Sequence, residues 1–142
     1  MSNDFLLNKT LVKKIAKATD ALLILQWGYF NSVWEDWNVT DPQRCRKGRQ
    51  LTYHIAIVVK DDQPLSSIEL TNACRRFCNE LVRLSPDVYF RKEALRRIKS
   101  NTGHFAIVHR LGYVLHNADK NTFPSPGYAR KLQRMNAQTG KV

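Results

Sequence analysis

Leu51-Thr-Tyr-His-Ile-Ala-Ile-Val-Val-Lys60 decides the fold class. Leu51, Tyr53, Ile55, Ile57 and Val59 fall on one face, and Thr52, His54, Ala56, Val58 and Lys60 on the other. β-Branched and aromatic residues at a period of two predict a strand. The second face is mixed rather than polar. That predicts cover on both sides and a central or subcentral place in a sheet. Asp61-Asp62-Gln63-Pro64 ends the strand, because Pro64 brings no ladder donor and the aspartates favour a turn.

Ser66-Ser-Ile-Glu69 follows as a capping box, with Ser66 on the free N–H groups and Glu69 reaching back. It predicts a helix over 66–84. Leu70, Cys74, Phe77, Cys78 and Leu81 form its apolar stripe. Such a stripe must be buried, and the preceding strand offers the surface.

Toward the N-terminus, Leu7, Leu11, Ile15, Ala18, Leu22 and Leu25 recur at steps of three and four. They predict a helix over residues 5–26, with Asn8 or Thr10 as its cap and Gly28 as a break. Trp27, Tyr29, Phe30, Val33, Trp34 and Trp37 then crowd together. Phe30 and Trp34 are four apart, as are Val33 and Trp37, so the spacing reads as a second helical stretch with aromatics in the core. The competing reading makes them a stacking surface or a protein-contact anchor, with Trp27, Trp34 and Trp37 as the contact residues.

Toward the C-terminus, Ser85-Pro86-Asp87 separates the central helix from a basic segment that becomes helical near 88–99. His104 to Arg110 alternates weakly and Leu111 to His116 follows, which predicts one or two strands over 104–116 paired with Leu51 to Lys60. The architecture expected is α+β. A small antiparallel or mixed sheet packs against the N-terminal helix and the 66–84 helix, with the basic helix added. Residues 1–118 form one domain, and 119–142 form a basic, partly extended tail.

The net charge is +11, and its distribution carries more information than its sum. Met1 to Gln43 holds four lysines against five acids. Arg44 to Lys60 holds five basic residues and no acid, Val88 to Ala118 six against one, and Asp119 to Val142 five against one. Charge gathered this way most often meets nucleic acid, less often an acidic protein. Arg44, Arg46, Lys47 and Arg49 lie in or beside a loop. Arg91, Lys92, Arg96, Arg97 and Lys99 lie on the basic helix, where like charges destabilise one another until an anionic partner relieves them. These nine are the candidate phosphate contacts. Phosphates give affinity and position rather than sequence choice, so DNA and RNA both fit.

Other classes find little support. The longest apolar run, Ala21 to Leu25, is too short to cross a bilayer. Met1-Ser-Asn-Asp lacks the basic and apolar regions of a signal peptide, so a cytoplasmic protein without a membrane partner is expected. Cys45, Cys74 and Cys78 are odd in number and suit a reducing compartment. No C-x-x-C, H-x-x-x-H or H-x-H pair occurs, and no phosphate loop, dinucleotide fingerprint or nucleophile elbow, so no metal and no cofactor is expected. A metal-free nuclease would need His54, His104 or His109 beside an arginine. Alternation along a strand puts His104 and His109 on opposite faces, against a shared site. The leading expectation is a nucleic-acid-binding protein without catalysis. A small accessory or inhibitor protein of the kind found in phages and mobile elements, docking on an acidic protein or a nucleic-acid groove, is the alternative. The His and Arg nuclease comes after it.

Overall fold

The structure, a computed structural model, describes residues 5–36, 40, 46–120, 122 and 123, with the backbone alone at 36 and 46. Eight elements run in the order α1 (Lys9–Thr19), β1 (Leu23–Asp36), β2 (Arg46–Val59), α2 (Ser67–Arg75), β3 (Val82–Phe90), α3 (Arg91–Ser100), α4 (Gly103–Leu111) and β4 (Tyr113–Asn117). The four strands form one mixed sheet in the order β3-β2-β1-β4. β1 is antiparallel to β2 and to β4, and β2 is parallel to β3 with α2 as the crossover. The α+β class read from the Leu51 to Lys60 pattern is borne out.

β2 is second from the edge, and from Ile55 to Val59 both of its faces are buried. Tyr53, Ile55, Ile57 and Val59 meet Val12 and Ile15 of α1 and Leu70 and Cys74 of α2. Ala56 and Val58 meet Ala94 of α3, Phe105 and Val108 of α4, and Phe123. The sheet therefore has a first side, under α1 and α2, and a second side, under α3 and α4.

Several boundaries differ from the sequence expectations, each for a local reason. α1 starts as expected, with the Asn8 Oδ1 accepting from Thr10 N and Leu11 N. It stops at Thr19 because Asp20 adopts a left-handed conformation (φ 51°) that its short polar side chain tolerates. Leu22 and Leu25, expected on the helix, belong to the entry of β1. The aromatic crowd is strand, not helix. A spacing of four puts Phe30 and Trp34 on one face in either geometry, and aromatic and β-branched residues favour the strand.

α2 keeps its cap, with Glu69 N donating to Ser66 Oγ at 3.2 Å, but ends at Arg75 rather than 84. The Asn79 Oδ1 accepts from Leu81 N and Val82 N and turns the chain into β3. Pro86 lies inside β3 rather than in a linker. β3 is an edge strand, where a missing N–H costs no ladder bond.

The largest correction concerns 104–116. Residues 103–111 are helical, and only Tyr113–Asn117 is strand, paired with β1 and not with β2. Phe105, Ala106 and Val108 bury the inner face of α4 while Ile107 and Leu111 stay exposed. At the C-terminal end, Asp119 and Thr122 bond to Arg91, and Phe123 is buried in the second core. The remainder of the expected tail lies outside the described residues.

His109 on α4 is half-buried, and its Nε2 has no hydrogen-bond partner among the described residues. Burial lowers its pKa from the ordinary 6.5. The unfolded chain therefore takes up a proton below pH 6.5 that the folded chain refuses, so stability falls as pH drops from there through the folded value. The denaturant midpoint is expected to fall between about pH 7 and 5, and His109→Phe to remove part of that fall. An unchanged pH profile in the variant would refute the assignment.

Candidate nucleic-acid interface

β1 and β2 run on together beyond the helices as a two-stranded ribbon, Gly28 to Asp36 against Arg46 to His54. On the second side of the sheet its rows read Gly28 with His54, Phe30 with Thr52, Ser32 with Gln50, and Trp34 with Gly48. β3 adds Arg83 beside Thr52 and Ser85 beside His54, both exposed. Phe30 is 61% exposed and Trp34 47%, so no described helix covers the face from Phe30 outward.

Two glycines shape it. A Cβ on Gly48 would lie 2.0 Å from the Trp34 ring, so the indole occupies the space a side chain would fill. A Cβ on Gly28 would lie 3.0 Å from His54 Cδ2 in the same manner. Each glycine lets the ring opposite it lie across the ladder. The register slips between Gln26 and Gly28, and this bulge turns Trp27 to the same side. Trp27, 38% exposed, meets His54 (centroids 4.7 Å, 33°) and His104 of α4 (4.5 Å, 81°). Trp27, Phe30 and Trp34 thus form a row. Same-face positions two apart along a strand are separated by about 7 Å, so Phe30 and Trp34 lie roughly 14 Å apart.

The cations fall into separate groups. Lys47 and Arg49 sit on the first side of the ribbon, away from the aromatic row. Arg49 Nε donates to Asn31 Oδ1 at 3.0 Å, and Arg49 shares a cavity of about 650 Å³ with Lys9, Tyr29 and Tyr53. α3 lies on the second side, like the row, but over the Ala56 and Val58 end of β2, with Lys92 beside Asp61 at the end of the sheet away from the row. Its Arg91 is bound to Asp119 (3.4 Å) and Thr122 (3.0 Å). Arg96 and Arg97 both clasp Glu93, at 2.7 and 2.8 Å. Hydrogen bonds from Arg96 and then Arg97 pull the Glu93 carboxyl down to about 2. The Lys92 and Lys99 ammonium groups are in no ion pair among the described residues, but the Asp61 carboxylate accepts from Lys92 N at 3.2 Å, and Asp61 and Glu93 line the same groove over Phe90 and Leu95 as the two lysines and Arg96. The nine expected cations are therefore not one surface. Trp37, Arg44 and the Arg46 side chain lie outside the described residues.

Sequence reasoning placed the run from Trp27 to Trp37, Phe30 included, on a possible stacking or contact surface and named His54 and His104 as candidates, but missed Arg83 and the meeting of both histidines at Trp27. The signal available was the glycine pair, Gly28 and Gly48, flanking an aromatic run.

Other chemistry is sparse. Among the described residues no three His, Cys, Asp or Glu side chains come together as a metal site. Cys74 is fully buried, and burial pushes its thiol up to about 12, so it is a core residue rather than a nucleophile. No described helix is long and apolar enough to cross a membrane. Comparison with protein-family models, curated proteins and solved structures finds no match for this chain.

Proposed function

We propose that this protein binds single-stranded nucleic acid, with bases stacked on Trp27, Phe30 and Trp34 and the phosphate chain drawn toward Arg83 and the C-terminal end of α3. The observation that carries the reading is the row of three exposed rings that runs from the edge of α4 out along the uncovered ribbon, in a chain of net charge +11. Stacking on aromatic side chains accepts any base and needs the base to be unpaired. The duplex buries those same ring faces in its own stack.

Salt titration of binding to labelled dT and rU oligomers and to a duplex tests the reading. Single strands are expected to bind more tightly than the duplex, and affinity to fall steeply between about 50 and 200 mM salt. Arg83→Gln with Lys99→Gln is expected to reduce the salt slope by about 1.4, at roughly 0.7 per released phosphate contact. Arg96→Gln with Arg97→Gln is expected to change it less, because both guanidiniums already face Glu93. Absence of binding at low salt would overturn the proposal.

A metal-free nuclease is the second reading, favoured by the meeting of His54 and His104 at Trp27. It predicts cutting of the bound strand on a denaturing gel, lost in His54→Ala while binding persists.

A further inference from the structure

The aromatic row does not end in open solvent. Beside Trp27 a cavity of about 350 Å³ opens between α4 and the end of β4. Phe5, Trp27, His104, Ile107, Leu111 and Tyr113 line it. Its size is at the lower end of the range for small-molecule sites, about 300–1,000 Å³.

The cavity has built walls. Phe5 and Tyr113 meet edge to face, with centroids 5.6 Å apart at 61°. The segment carrying Phe5 is pinned by Gln26, a buried side chain whose Oε1 accepts from Leu7 N at 2.8 Å and whose Nε2 donates to Phe5 O. The opposite wall is Trp27, held by its edge contact with His104. Ile107 and Leu111, 48% and 46% exposed, form the rim.

One wall is main chain. β4 follows β1 only from Leu23 to Gln26, where Tyr113 is the last partner. Past that point no described strand pairs with this edge of β1. Gly28 and Tyr29 line the cavity there, beside the bulge. The space thus combines aromatic faces with a strand edge that has no ladder partner among the described residues. That is the chemistry a nucleobase requires, since it is a flat ring for stacking with donors and acceptors around its rim.

We infer that this cavity receives one unstacked nucleobase of the bound single strand. The inference rests on the single-strand reading above and gives it a fixed register. Trp27 belongs both to the row and to the cavity, so a strand crossing Trp34 and Phe30 reaches the opening at the next ring. Trp27 separates the stacked bases from the inserted one, and the edge of β1 reads the inserted base.

Ile107→Trp and Leu111→Trp test this on the full chain, because each fills the rim from an exposed position and leaves the core alone. The probes are adenosine and uridine, followed by amide NMR, and dA and dT 12-mers, followed by fluorescence anisotropy. In the wild type a nucleoside is expected to shift the amides of Trp27, Gly28, Ile107 and Tyr113. In either variant those shifts disappear, and 12-mer affinity falls about tenfold, the scale of one lost base–aromatic stack. Unaltered 12-mer binding in both rim variants would overturn the cavity assignment alone and leave the stacking row standing. Failure of the wild type to bind any 12-mer would overturn the parent reading and this inference with it. A wild-type dimer that dissociates in the rim variants, with no nucleoside shifts, would assign the surface to a second copy of the chain and overturn the inference.

Discussion

Phe30→Ala combined with Trp34→Ala is expected to lower affinity for single-stranded DNA or RNA by about thirtyfold or more, with little change in thermal stability. A base stacked on an aromatic side chain is worth about 1–3 kcal/mol, so losing two such platforms removes roughly 2–6 kcal/mol. Their exposures of 61% and 47% mean that little apolar area is lost from the fold when the rings go. Gly48→Ala is a subtler form of the same test. Its new Cβ lies where the Trp34 ring now sits, 2.0 Å from Cζ2, so the indole must leave the ladder. Fluorescence anisotropy with labelled oligomers measures the affinity, and a melting curve checks the fold. Wild-type affinity in the double variant would refute the stacking surface.

Phe105→Ala is expected to have the largest effect on folding. Phe105 is fully buried in the second core and packs against Tyr89 of β3, with ring centroids 4.6 Å apart at 36°. Removing a buried phenylalanine costs about 3–5 kcal/mol, the lost transfer free energy plus the cavity left behind. Domains of this size are stable by about 5–15 kcal/mol in total, so the melting temperature should fall by roughly 10–20 °C. Ile107→Ala, two residues on, is expected to cost little, because that side chain faces outward from α4. The contrast also checks the helix. A strand through 104–110 would put Phe105 and Ile107 on one face and make both replacements similarly harmful.

That contrast marks where sequence pattern stopped being informative. β2 was legible because β-branched and aromatic residues alternate at a period of two, with a second face too apolar to be left in water. The start of α2 was legible because Ser66 and Glu69 form a cap whose geometry is local. Phe30 and Trp34 were ambiguous because a spacing of four shares a face in a helix and in a strand. His104 to Arg110 was misleading because Ile107 and Val108 are β-branched, while the burial of Phe105 and Val108 by the second side of the sheet decided for a helix. Tertiary packing overrode local preference there.

The candidate site was less legible than the fold. Blocks of basic residues are visible in a sequence, but their partners are only partly so. Glu93 lies within one helical turn of Arg96 and Arg97, and its clasp follows from spacing. Asp119 lies 28 residues from Arg91, and only the structure joins them. The strand register put Lys47 and Arg49 on the side of the ribbon opposite Phe30 and Trp34. A register is not written in composition, so the loop and helix cations looked like one surface before the sheet separated them.

Photo-cross-linking of the full chain to a single-stranded oligomer carrying 5-iodouridine, with the linked peptides mapped by mass spectrometry, tests the central claim most directly. The account predicts cross-links at Trp27, Phe30 and Trp34. Cross-links that leave those three untouched and gather instead at Tyr29 and Tyr53, around the cavity on the other side of the sheet, would contradict it.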